Sequence, residues 1–140
     1  MASKLKVDEL EGVTTAGSID VTSEGGAVST NLQQGLAKVW VNYNGSGTIA
    51  VRDSLNVTSL NDTGSGRHEY TFTNNMNNTE YTHIAGAGTA SYSTTTFIGV
   101  RTYGVTASTS QCGNNVLYAS TDFGTYDATY IASSNHGDLA

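Results

Sequence analysis

The chain has 140 residues, 37% of them apolar and only 13% charged, with no proline, so a thin-cored domain is expected and wholesale disorder is not. The net charge of −6 carries no basic stripe, because Lys4, Lys6, Lys38, Arg52, Arg67 and Arg101 are scattered, and this argues against a nucleic-acid partner. No apolar run reaches the roughly 18 residues of a membrane-crossing helix, so no membrane insertion is expected.

Residues 1–36 hold five of the twelve acids (Asp8, Glu9, Glu11, Asp20, Glu24), and the first aromatic is Trp40. Their apolar side chains come in short groups: Leu5 and Val7, Ile19 and Val21, then Val28. Such a segment buries too little surface to offset its own ordering entropy, so it reads as an extended arm that folds against something else. Leu5-Lys6-Val7-Asp8 and Ser18-Ile19-Asp20-Val21-Thr22 alternate like strands, with Gly17 and Gly25-Gly26 as punctuation.

From residue 37 the texture changes to period-two alternation rich in β-branched and aromatic residues. Val39, Val41 and Tyr43 share one face and Lys38, Trp40 and Asn42 the other. Asn44-Gly45-Ser46-Gly47 predicts a hairpin-type turn with positive φ at Asn-Gly. Ile49 and Val51 resume the apolar face, and Ser54 to Thr58 continues the rhythm. A loop is predicted over Asn61 to Gly66, then an alternating His68, Tyr70 and Phe72, then an Asn-rich loop from Asn74 to Asn78. Further strands are expected within 81–84, 95–105, 115–120 and 128–132, with Cys112-Gly113-Asn114-Asn115 as a loop. No window shows helical periodicity. Seven to nine short strands at this spacing predict an all-β fold, an antiparallel β-sandwich of jelly-roll or immunoglobulin-like type over 37–140, with an extended N-terminal arm over 1–36.

Chemistry-bearing patterns are sparse. His68 and His83 lie on predicted strands without a third ligand at a recognisable spacing, and His136 lies in a polar C-terminal stretch read as solvated, so no metal site is expected. Cys112 stands alone, which excludes an intrachain disulfide and a cysteine-based zinc cluster. Ser54, beside Asp53 and Arg52, lacks the Gly-x-Ser-x-Gly turn that exposes a nucleophile, and Gly64-Ser65-Gly66-Arg67 lacks the Lys-Ser/Thr of a phosphate loop. Asp122 and Asp127 are the nearest thing to the paired carboxylates of glycoside hydrolysis, though a turn with two solvated acids explains them as well. The Asn61-Asp62 and Asn74 to Asn78 loops offer calcium one carboxylate between them, too little charge for a tight site. No cofactor is expected. The opening residues lack an apolar signal region, so the four glycosylation triplets at Asn44, Asn56, Asn61 and Asn77 are not expected to carry sugar. Eight tyrosines against three Phe and one Trp favour amphipathic surfaces, and Tyr118, Tyr126 and Tyr130 are the candidates for interface or glycan contact.

The run from Ala37 to Leu60, AKVWVNYNGSGTIAVRDSLNVTSL, continuing through Asp62, Gly64 and Gly66, resembles a segment of virion structural, tail-fibre-like proteins of marine tailed bacteriophages. Those proteins carry a K-x-W-V-N-F-N-G-x-G-T-x-x-I-R-x-S-x-N-V-S-S-[IVL]-x-D-x-G-x-G run. His68 to Phe72 and Tyr81 resemble the strands that follow it there, and Leu5 to Leu10 resembles the family's short leader, so the likeness covers residues 4–10 and 37–105. It implies a non-enzymatic virion component, made in a host cytoplasm and released by lysis. A long fibre shaft does not fit in 140 residues, which implies a short tail fibre or tail appendage, with a capsid decoration or head fibre as the alternative. By analogy the chain is expected to be a homotrimer that contacts other virion proteins through Leu5, Val7, Leu10, Ile19 and Val21, and a host-surface glycan through its module. Outside that class, a glycan-degrading depolymerase and a free carbohydrate-binding module are the competing readings.

Overall fold

The computed structural model describes residues 4–13, 19–23, 25–26, 28–89, 97–101, 108–119 and 123–140, with the backbone alone at 97–101, 118–119 and 123. The chain divides into two units, residues 1–36 and 37–140.

In the first unit, β1 (Asp20–Thr22) and β2 (Ser29–Asn31) form a minimal antiparallel hairpin, and α1 (Leu32–Gly35) is a single turn. Gly25 and Gly26 take φ of +87° and +72° in the hairpin loop, closed by Ser23 N–H donating to the Val28 carbonyl at 2.8 Å. Positive φ at both positions is what glycine supplies without steric cost. Asn31 caps the helical turn, its Oδ1 accepting from Gln34 N–H at 3.0 Å. The alternation at Leu5 to Asp8 forms no strand, and those residues are exposed.

The second unit is all-β and antiparallel, as the alternation predicts. Its strands are β3 (Val39–Asn44), β4 (Ala50–Leu55), β5 (Val57–Gly64), β6 (Arg67–Phe72), β7 (Thr82–Gly88), β8 (Phe97–Arg101), β9 (Gln111–Ala119), β10 (Phe123–Thr125) and β11 (Tyr130–His136). One sheet has the order β4-β3-β11-β7; the other runs β10-β9-β6-β5, with β8 also pairing β9. Long β9 is shared, its residues 111–115 pairing with β6 and its residues 115–119 with β8. Alternation turns Val39, Val41 and Tyr43 of β3 and Ile131 of β11 toward Tyr70 and Phe72 of β6 and Cys112 and Val116 of β9, and Met76 and Ala128 complete the buried core.

Several local expectations are corrected. Ser54 to Thr58 is not one strand. Asn56 takes φ +59° between β4 and β5, and there the chain crosses from one sheet to the other. Asparagine tolerates that left-handed backbone, and its side chain is clamped, donating to the Asn74 carbonyl at 3.0 Å and accepting from Asn74 N–H at 2.7 Å. The predicted loop at Asn61 to Gly66 shrinks to a tight Ser65-Gly66 turn, because β5 continues to Gly64 in register with β6. At Asn44 to Gly47 the positive φ falls on Gly47, at +67°. Gly45 is there for space: a Cβ would stand 2.6 Å from Ile131 Cδ1 and 2.8 Å from His68 Cε1. Val51 does not continue the apolar face but is exposed on β4, which among the described residues pairs with β3 alone and ends the sheet. Cys112 to Asn115 is no loop but the buried middle of β9, and His136 belongs to β11 and is half-buried.

Candidate functional site

Two features of the module carry chemistry: the outward face of the β4-β3-β11-β7 sheet and a polar layer inside the sandwich.

On the outward face, residues directly opposite across antiparallel pairs stand side by side. Leu55, Trp40, Ser134 and Ile84 form one row, and Asp53, Asn42, Ala132 and Gly86 the next. Tyr130 lies opposite Gly88, four residues along β11 from Ser134, which places it roughly 13 Å farther down the strand. The small Ala132 and Gly86 floor two adjoining shallow depressions of about 370 and 310 Å³, both also lined by Asn42. A Cβ built on Gly86 meets nothing within 4 Å, so the floor is open. Trp40 borders the first depression and Tyr130 the second.

A bulge sets the second border. Asn42 pairs with Asp53 and Tyr43 with Val51, which leaves Arg52 as the extra residue. Bulges re-aim a side chain, and here the guanidinium lies 4.6 Å over the Tyr130 ring. It donates to the Tyr43 carbonyl at 2.7 Å and to the Thr129 carbonyl at 2.5 Å, so the Arg52–Tyr130 stack is fixed on the backbone. Two aromatics, an amide and a small-residue floor suit a flat ligand with apolar ring faces and hydroxyl edges.

Inside the sandwich, polar side chains from both sheets meet around His83 of β7. Its Nε2 lies 2.9 Å from Asn114 Oδ1 and its Nδ1 2.6 Å from Asn135 Oδ1, with the Cys112 Sγ at 3.5 Å. Asn114 donates to Tyr43 Oη at 2.9 Å and to Ser133 Oγ at 3.2 Å, and Asn135 donates to Tyr70 Oη at 3.3 Å. Each bond joins strands of opposite sheets or crosses to a neighbour, so a thin apolar core is pinned by amides. Burial opposes a charged His83, but the adjacent Cys112, Asn135 and Asn114 outweigh it and raise its pKa. Burial likewise opposes the Cys112 thiolate, and His83 with the Tyr81 and Tyr70 hydroxyls outweighs that and lowers the thiol. Burial pushes the Tyr43 and Tyr70 hydroxyls far up, so both stay neutral.

The sequence candidates are dispersed by the fold. Tyr130 is exposed on the outward face, while Tyr126 is half-buried against the core and donates to Thr89 Oγ1 at 3.2 Å. The Tyr118 side chain lies outside the described ones, and so does Asp122. Asp127 Oδ1 accepts from Gly66 N–H at 2.5 Å, which is a loop pin. His68 is fully buried on β6, while His136 Nε2 lies 3.4 Å from Ser134 Oγ. In the first unit Leu5, Val7, Leu10 and Val21 are exposed and Ile19 is half-buried; Val13, Val28 and Leu36 are exposed as well. Among the described residues no group of three or more His, Cys, Asp or Glu stands together to hold an ion, and no helix is long and apolar enough to cross a membrane.

Trp40 and Arg52 escaped sequence reasoning as site residues. The outward position of Trp40 was legible from its alternation, but the bulge that carries Arg52 over Tyr130 leaves no signal in the order of residues. Comparison with protein-family models, with curated proteins and with solved structures finds no match to this chain.

Proposed function

We propose that this protein is a non-enzymatic structural component of a bacteriophage virion, a short tail fibre or tail appendage. Residues 1–36 anchor it to the particle and residues 37–140 are displayed toward the host surface. One observation carries the reading. Leu5 and Val13 are 83% and 95% exposed, with Val7, Leu10, Val21, Val28 and Leu36 also open, whereas the module closes its own core. Each such side chain contributes about 1.5–3 kcal/mol when fully buried, so a partner that covers several of them gains a strong hold. The partners are other copies of the chain, as a homotrimer, together with other virion proteins. The resemblance of residues 4–10 and 37–105 to virion structural proteins of marine tailed phages supports the same reading. The outward face of Trp40, Asn42 and Tyr130 is the surface offered to host glycan.

The test is made on the full chain. Replacing Leu5, Val7 and Leu10 together by Ser is expected to abolish incorporation into particles, read by mass spectrometry of purified virions, while the circular-dichroism spectrum of the β module is unchanged. Incorporation at the unaltered level would remove the anchor assignment. In the same measurement a small multiple of three or six copies per particle assigns the chain to the tail. Hundreds of copies assign it to the capsid shell instead, as a decoration that stabilises it.

A further inference from the structure

Two imidazoles meet the core in opposite circumstances, His83 half-buried and His68 buried. His83 has a side-chain oxygen at each ring nitrogen, Asn114 Oδ1 at one and Asn135 Oδ1 at the other. His68 is fully buried, and neither of its ring nitrogens has a hydrogen-bond partner among the described residues. It is wedged at the end of the sandwich where the Gly45 loop closes: its Cε1 is 2.8 Å from where a Gly45 Cβ would stand, and the Tyr43 ring lies edge-on at 5.3 Å.

We propose that His68 is an acid-sensitive latch of the β module: a proton taken from solvent onto its ring is a charge that no hydrogen bond among the described residues meets and that Asp62 and Asp127 offset only in part, and it drives apart β3 and β6 at the Gly45 end. The groups that face the ring are few. Asp62, opposite His68 in the β5–β6 register, accepts from Gly64 N–H, and Asp127, in the segment before β11, accepts from Gly66 N–H. From β3 comes the neutral Tyr43 ring, and from β9 Asn114, which is opposite His68 in register and already engaged with Tyr43, Ser133 and His83. The Gly45 carbonyl is close by but meets no ring nitrogen in hydrogen-bonding geometry.

Burial lowers the pKa of His68; Asp62, Asp127 and the Gly45 carbonyl draw it partly back without reversing it. The sign follows from linkage. With the folded value below the unfolded one of about 6.5, the unfolded chain binds a proton that the folded chain refuses. Stability attributable to His68 is therefore complete above pH 6.5, falls as the pH drops below it and levels off beneath the folded value. His83 has the opposite sign and acts above 6.5: its raised value makes the folded state the better proton acceptor there, so its contribution is complete below 6.5 and is lost as the pH rises through the folded value. The two imidazoles thus carry opposite signs, and the His68 contribution is isolated by removing it.

The experiment is the thermal midpoint of the full chain between pH 7.5 and 5, for the wild type, His68→Leu and the control His136→Ala, together with a nuclear-magnetic-resonance titration of the histidine ring protons in the folded wild type. Removing the His68 contribution is expected to make the fall in midpoint over that range smaller by about 5–10 °C in His68→Leu than in the wild type, with His136→Ala tracking the wild type. The His68 ring proton is expected to titrate below the ordinary histidine value while the fold persists. An acid slope in His68→Leu equal to that of the wild type overturns the latch. So does a His68 ring that titrates at or above 6.5, and this second readout decides the matter even where the leucine variant does not fold.

Discussion

The two units of this chain draw on the same Ser-, Thr-, Asn- and Gly-rich vocabulary and reach opposite surfaces. Residues 37–140 bury Val39, Val41, Tyr43, Tyr70 and Ile131 between two sheets, while most of the apolar side chains described in residues 4–36 stay in solvent. The difference is not apolar content alone. The module has central strands, β3, β11, β6 and β9, with partners on both sides, so alternation can aim a whole face inward; the first unit has a pair of three-residue strands and a single helical turn. The module also spends amides on its interior. Asn114 and Asn135 are fully buried because His83, Tyr43, Tyr70 and Ser133 meet their polar atoms. Polar residues stabilise a thin core only when every one of them is met, and this fold arranges that around His83 and omits it at His68.

Three sets of substitutions break or sharpen that contrast. The largest effect is expected at Gly66, which takes φ +67° and whose added Cβ would lie 2.6 Å from the Val116 carbonyl oxygen and 2.7 Å from Tyr126 N. Gly66→Ala combines backbone strain with a clash against main chain and should cost about 3 kcal/mol or more in urea unfolding. A cost under about 1 kcal/mol would mean that the β5–β6 turn is looser than the closed module requires.

Next is Asn114→Ala, which strips a partner from His83, Tyr43 and Ser133 at once. It should destabilise the module by about 2–3 kcal/mol. The paired variant Asn114→Ala with His83→Ala should cost less than the two single losses added together, because the orphaned imidazole is gone. Simple additivity would remove the polar layer as a unit.

The smallest effect is expected in the other unit. Leu5→Ser and Val13→Ser should each change module unfolding by no more than about 0.5 kcal/mol, since neither side chain is buried. If the homotrimer proposed above forms through this unit, light scattering on the same variants should show a smaller assembled mass. A large stability loss would mean that these residues serve the module's own fold and not a partner.

How legible the molecule was depends on which residues are considered. The hydrophobic alternation of Val39, Val41 and Tyr43, and of His68, Tyr70 and Phe72, specified strands and their inward faces directly, because a period of two is a local property of the chain. The chain crossing at Asn56 was invisible, since a left-handed residue inside an alternating run looks like any other until its neighbours in space are known. Cys112 to Asn115 misled for a related reason: two asparagines beside a glycine carry a loop signal, and only the facing His83, Tyr43 and Ser133 make Asn114 acceptable in a central strand.

The amino-acid order by itself thus determined the fold class, the antiparallel alternation, the change of texture near residue 37 and the scarcity of apolar bulk before it. Each of these follows from local propensity and the cost of exposing apolar surface. Only the tertiary structure decided which strands pair, that Arg52 lies over Tyr130 beside an open floor at Gly86, and that the half-buried His83 is met on both sides while the buried His68 is met on neither among the described residues. Those outcomes depend on residues far apart in the chain meeting across sheets. Contact energies of that kind exist only once the sheets have closed.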